Sequence, residues 1–211
     1  MRCESNRTGW VHNLPSQQKF VVAIFAGLLT CAGCLAPCAR AEKREIDVAH
    51  SVMKVRVYKT GLFSGLAHDH EISAPIAKGT VDDSPSPSVE LTVESSKLQV
   101  ADPGVSDKDR TQIQQTMQGA QVLNSSQFPE IRFHSTKIQP AGEGRWTIEG
   151  ELTLHGQTHP VQVTVTKKEG KYEGSAAFKQ RAFGMTPVSV AGGTVKVKDE
   201  VKIEFQIVLS Q

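Results

Sequence analysis

His68-Asp69-His70 is the sharpest chemical constellation in the 211-residue chain. Residues two apart on a strand project from one face, so imidazoles so placed supply two ligands of a zinc-type site. A third ligand would have to come from His134, His155, His159 or Glu71, and their spacing gives no reason to bring any of them near. A polar strand start with hydrogen-bonded histidines explains the same residues without a metal. His50 reads as a structural side chain at a strand boundary. His134 shares a polar face with Arg132, and His155 and His159 flank a glycine-containing turn, where both are expected to be solvated. The expectation is therefore no bound metal, with His68 and His70 kept as the alternative.

Other catalytic arrangements are harder to find. Glu149 and Glu151 lie on one strand face, as a carboxylate pair would, but an alternating strand ordinarily turns such residues to water. The sequence has no G-x-S-x-G turn and no glycine-rich phosphate loop. All four cysteines (Cys3, Cys31, Cys34, Cys38) precede residue 42, so the remainder offers no thiol nucleophile, thiolate metal site or disulfide. No enzyme activity and no cofactor are expected.

The first 41 residues read as an export signal. Lys19 precedes an apolar run from Phe20 to Ala36, uncharged until Arg40, and Ala39-Arg40-Ala41 supplies a small-x-small cleavage pattern. The run is shorter than the about 20 apolar residues that span a bilayer, and it ends at Pro37. A lipid-modified Cys34 is the weaker reading, because Cys31 occupies the position where an aliphatic residue is expected. The chain thus divides into a signal peptide, 1–41, and one domain, 42–211, delivered to the periplasm. Four of the 24 basic and one of the 22 acidic residues precede Glu42, leaving 20 against 21, a net charge of −1. The remaining lysines are interspersed with Glu and Asp, which excludes a polyanion-binding footprint and hence a nucleic-acid partner.

From residue 44 onward, period two dominates, the pattern of strands buried on one face. It appears in Met53, Val55, Val57; in Val89, Leu91, Val93; in Ile131, Phe133; and in Trp146, Ile148, Gly150, Leu152, Leu154. It returns in Val161, Val163, Val165; in Tyr172, Gly174, Ala176, Phe178; and in Val201, Ile203, Phe205, Ile207, Leu209. With segments around 69–73 and 76–82 this makes about eight or nine mostly antiparallel strands. Their turns are Asp82-Asp-Ser-Pro-Ser-Pro87, Ala141-Gly-Glu-Gly144 and Glu169-Gly170. Strands that follow one another without intervening helices close most economically into a sandwich or barrel. One segment departs from this: 106–118 reads as a short polar helix capped by Ser106, with Ile113 and Met117 as a narrow apolar stripe. It either connects strands or covers a barrel mouth.

The interior of an eight-stranded barrel either fills with side chains or holds one slender ligand. Here the inner row mixes Met53, Phe133, Trp146, Phe178 and Phe205 with Gly150, Gly174 and Ala176, which leaves room for a cavity. Alternation alone does not distinguish a hollow barrel from a packed one.

Four strings resemble the YceI-like family: Ile46-Asp-Val-Ala-His-Ser51, Phe128-Pro-Glu-Ile-Arg-Phe-His-Ser-Thr136, Gly150-Glu-Leu-Thr-Leu-His-Gly-Gln-Thr-His-Pro-Val161 and Arg181-Ala-Phe-Gly-Met185. The resemblance runs from about residue 45 to the end. It implies an all-β fold, an extended antiparallel lipocalin-like β-barrel of about eight strands with one short helix. It also implies a non-enzymatic periplasmic carrier or store of a polyprenyl or quinone-type isoprenoid lipid. The residues it assigns to the lipid are Met53, Val55, Phe133, Trp146, Ile148, Leu152, Phe178, Phe183, Phe205 and Ile207. Arg181 would lie near the mouth, meeting a polar head group or tying two loops together. The stretch Lys59 to Ile72 departs from the family, placing its histidines at 68 and 70. A metal-dependent or redox-assisting protein using His68 and His70 therefore stays as an alternative, beside a packed-barrel interaction module in stress tolerance. Peripheral membrane contact and a dimer are left open.

Overall fold

A computed structural model of the chain describes residues 43–60, 69–190 and 195–211. The expected signal peptide, 1–41, and His68 lie outside the described residues. All nine expected strand segments are present: β2 (Val52–Thr60), β3 (His70–Ser73), β4 (Ile76–Asp82), β5 (Ser88–Glu94), β7 (Glu130–Pro140), β8 (Arg145–Leu154), β9 (Gln157–Lys168), β10 (Lys171–Lys179) and β12 (Val195–Ile207). Three more, β1 (Lys43–Glu45), β6 (Gln99–Val100) and β11 (Ser189–Val190), bring the sheet to twelve. At two or three residues each, they are too short to show alternation.

The sheet is antiparallel and strongly curled, in the order β1-β4-β5-β7-β8-β9-β10-β12-β2-β3-β6. It returns on itself where the chain after β1 meets the end of β12. Ile46 bridges Leu209, Asp47 N donates to Val208 O (2.9 Å) and Ser210 N donates to Glu45 O (2.9 Å). Register shifts in β4/β5, β7/β8 and β12/β2 bend the strands and tighten the curl. The hairpins β8–β9 and β9–β10 turn on His155-Gly156 and Glu169-Gly170. All four residues have positive φ, as two-residue turns that match the strand twist require.

Helix α1 (Asp107–Gln118) forms where expected. Ser106 Oγ accepts from Asp109 N, and Asp107 and Asp109 sit in the first turn, beside the positive end of the helix dipole. The helix covers the free edge of β6, a place where unpaired backbone groups would otherwise stand. Gln114 acts as a surrogate strand there: its Oε1 accepts from Val100 N (2.9 Å) and its Nε2 donates to Leu98 O (2.7 Å). The Arg110 guanidinium donates to the carbonyls of Val100 and Asp102 (3.0 and 2.9 Å). Ile113 and Met117 pack on the main core cluster, so the helix closes one end of the barrel as well as connecting strands. No helix among the described residues is long and apolar enough to cross a membrane.

Candidate functional site: two apolar chambers in series

Strand direction defines two ends. The hairpins β4–β5, β7–β8 and β9–β10 gather at the upper end. Helix α1, the β8–β9 turn and the 3-10 turn Gln180–Phe183 gather at the lower. The interior between them holds a cavity of about 430 Å³ reaching to the upper end, and a second of about 110 Å³ beneath α1.

The local sequence explains why the upper interior is hollow. Gly174 lies directly opposite Phe205, and Gly150 sits beside Phe133 on the neighbouring strand. A Cβ at Gly174 would overlap the Phe205 ring, and one at Gly150 the Phe133 ring. Each glycine thus seats an aromatic ring flat against the barrel wall, where a larger residue would lift it into the lumen. Of the inward-facing residues that line it, Leu91, Phe133, Trp146, Tyr172 and Phe205 are only half-buried, while Ile148, Val163, Val165 and Ile207 between them are buried.

Charged groups enter the wide chamber's lining at the upper rim: Asp82 at the end of β4 and Asp83 in the turn after it, with Ser84 beside them. Ser84 N, 2.9 Å from Asp82 Oδ1, holds the Asp82 carboxyl below its usual range, and the Ser84 hydroxyl adds to this. Asp83 pairs with Arg44 (3.2 Å). Trp146 and Tyr172 meet near this rim with ring centroids 6.1 Å apart, and Lys167 lies over the Tyr172 ring.

Nine of the eleven residues assigned to the lipid line a chamber. Phe133, Trp146, Ile148, Phe205 and Ile207 face the wide one, Val55 the narrow one, and Met53, Leu152 and Phe178 both. Phe183 lines neither. At 1 % exposure it is a core residue wedged edge-on against Phe178 and His159, each at 5.2 Å. Arg181, expected by the mouth, stands at the lower end, away from the acidic rim, because β10 runs downward into the turn that carries it. Its backbone N donates to Asp199 Oδ1 (2.9 Å), which ties that turn to the start of β12.

Several lining residues lie outside the set that the sequence assigns to the lipid. Leu91, Val161 and Ile203 belong to the same alternating rows and carry the same signal. Ile72, Leu98, Met117 and Val122 line the narrow chamber from a short strand, a strand connection, the helix and the turn after it, where no period-two pattern exists.

The histidines have other partners. His70 Nδ1 lies 2.6 Å from Oδ2 of Asp102, a carboxylate 3 % exposed that also accepts from Glu71 N (2.5 Å). This pair fastens the segment before α1 to β3. Glu71 bridges Lys54 and Arg56, and His134 faces Glu151 on the outer surface. His155 and His159 are half-buried where the sequence suggested solvation: the turn between them is exposed, but aromatic rings pack on both imidazoles. His155 is held by Phe183 O (3.0 Å) and the edge of Phe128, with its Nε2 buried, while His159 packs on Phe183. Among the described residues no three His, Cys, Asp or Glu side chains gather as metal ligands. Glu149 and Glu151 point outward, 3.8 Å from Lys137 and 3.4 Å from His134 respectively.

Comparison with known proteins agrees with this architecture. The crystal structure of Burkholderia cenocepacia BcnA superposes with a TM-score of 0.58 at 21 % identity, covering 79 % of this chain and 99 % of that one, a likeness of fold. A UPF0312 protein of Vibrio cholerae is 23 % identical over 108 residues, 46 % of this chain and 56 % of that protein. One from Shewanella denitrificans is 30 % identical over 92 residues, 39 % of this chain and 48 % of that protein. The chain spans about half the length of the curated relatives it matches. The model of the YceI-like domain matches residues 45–209, nearly the whole of the described barrel, and the chain belongs to the YceI-like family.

Proposed function

We propose that the protein is a non-enzymatic lipid-binding module that holds a long isoprenoid, of polyprenyl or quinone type, inside its barrel in the periplasm. The observation that carries this is the wide chamber itself, an apolar hollow with its charged groups confined to one rim. An isoprenoid tail needs no polar chemistry along its length. Each Å² of it removed from water contributes about 25 cal/mol. The rim sets the orientation: the tail points down toward α1, and the head lies beside Asp82 and Ser84. A carboxylate kept ionised suits a head that donates hydrogen bonds, such as a prenol hydroxyl or a quinol. The periplasmic assignment is supported by the export pattern of residues 19–41.

The test is to purify the protein under native conditions, extract it with organic solvent and search for lipids by mass spectrometry. A stoichiometric isoprenoid is the expected result. Repeated gentle preparations without lipid, together with a fluorescent polyprenyl probe that fails to saturate, would remove the carrier reading.

A further inference from the structure

We infer that the two chambers act in series as a length gauge: the wide one accepts any sufficiently apolar tail, and the narrow one admits only the terminal unit of a long tail. The inference rests on the lipid reading above and goes further by naming what limits the ligand.

Six side chains, Met53, Val93, Ile131, Leu152, Phe178 and Ile203, face both chambers. The cavities therefore meet at a waist along the barrel axis and are not pockets on separate faces. The waist is stiff on one side and yielding on the other. Val93 and Leu152 are buried, and Phe178 is backed edge-on by Phe183. Met53 is half-buried and carries an unbranched thioether that changes rotamer at low cost. A tail reaching this level passes by displacing Met53.

Beyond the waist, the space is closed by Met117 of α1 and by Val122 and Leu123 of the following turn. Its polar neighbour Gln180 already donates through Nε2 to Lys198 O (2.8 Å), so the walls present hydrocarbon to an occupant. An apolar void stays dry and weakens a core when empty, and one of about 150 Å³ accepts a benzene ring. At about 110 Å³ the narrow chamber fits a branched five-carbon group, one isoprenoid unit.

The experiment measures affinity for unlabelled prenols of three, four, six and nine isoprenoid units by competition against a fluorescent polyprenyl probe. With the unaltered protein, affinity should rise, level off, and rise again once the tail crosses the waist. Val122→Phe, which fills the narrow chamber from the turn after α1, should weaken the nine-unit prenol tenfold or more and leave the three-unit prenol within twofold. Met117→Phe fills the same space from the helix and serves if the first variant fails to fold, as thermal melting will show. A length series without the second rise, or folded variants that affect short and long prenols alike, would overturn the gauge while leaving the lipid reading in place. Failure of every prenol to compete, with no saturation by the probe itself, would remove both.

Discussion

At the upper end of the barrel the inward residues Leu91, Phe133, Trp146, Tyr172 and Phe205 are half-buried around a cavity of about 430 Å³. At the lower end Ile72, Ala74, Leu98, Leu123 and Leu154 each retain 7 % exposure or less. Both ends are built from the same alternating strands. They differ in what stands opposite the large side chains. Above, glycines let rings lie flat on the wall. Below, helix α1, the 3-10 turns Ser95–Lys97 and Gln180–Phe183 and the short strand β6 bring additional side chains inward. One sheet thus carries a tightly packed half that stabilises it and leaves only a narrow chamber, and a hollow half with room for most of a ligand.

The largest expected contrast comes from removing one phenylalanine at each end. Phe183→Ala should cost about 3–5 kcal/mol in denaturant-induced unfolding, because the side chain is fully enclosed. Phe205→Ala should cost less than about 2 kcal/mol, since part of its ring already faces empty space. Equal losses at the two positions would break the division into packed and hollow halves.

Gly174→Val sharpens the comparison from the other side. A branched side chain there meets both the Phe205 ring and the Thr164 carbonyl of β9, so it drives the ring into the wide chamber and strains the β9–β10 pairing. Stability should fall by about 1–3 kcal/mol, as overpacking usually costs. Binding of a polyprenyl probe should fall at least tenfold. Unchanged binding would show that Phe205 does not border the occupied space.

How far this division was legible in the sequence follows from the physics of each half. Period-two alternation marks every strand with one buried face, which is why Met53, Phe133 and Trp146 were read as inward. It carries no information about register, so the pairing of Gly174 with Phe205, which creates the hollow, emerges only from the folded sheet. The lower chamber draws on Leu98 and Val122, set by tertiary packing and outside any periodic run. The half-burial of His155 and His159 escapes the sequence for a related reason: a glycine turn signals surface, and this one is exposed, but Phe128 and Phe183 pack on the two imidazoles from distant parts of the chain. Asp102, which anchors His70, gave no signal beyond belonging to a Pro-Gly turn.

The smallest effect should come from the outer face, where neither chamber is touched. Glu204 accepts from Arg56 Nε (2.7 Å) and Lys202 Nζ (2.8 Å), which together lower its carboxyl to about 2. A group whose folded pKa is depressed stabilises the fold above its unfolded pKa, and that contribution fades as pH falls toward the folded value. Stability should therefore decline between about pH 4.5 and pH 2, and Glu204→Gln should flatten that portion of the curve. With the side chain 35 % exposed, solvent screens the pairs and the difference should stay below about 1 kcal/mol. Prenol affinity at neutral pH should not move. A change there would mean that the outer ion pairs shape the interior.

Trp146 offers the most direct test of the hollow barrel as a lipid site, because it lines the wide chamber and is the one tryptophan after residue 41. Its fluorescence should be followed in protein beginning at Glu42, stripped of lipid, during titration with a long prenol. The account predicts a saturable blue shift with one prenol per chain, abolished in Gly174→Val. An emission spectrum that stays constant while prenol is added, or that drifts without saturating, would contradict it.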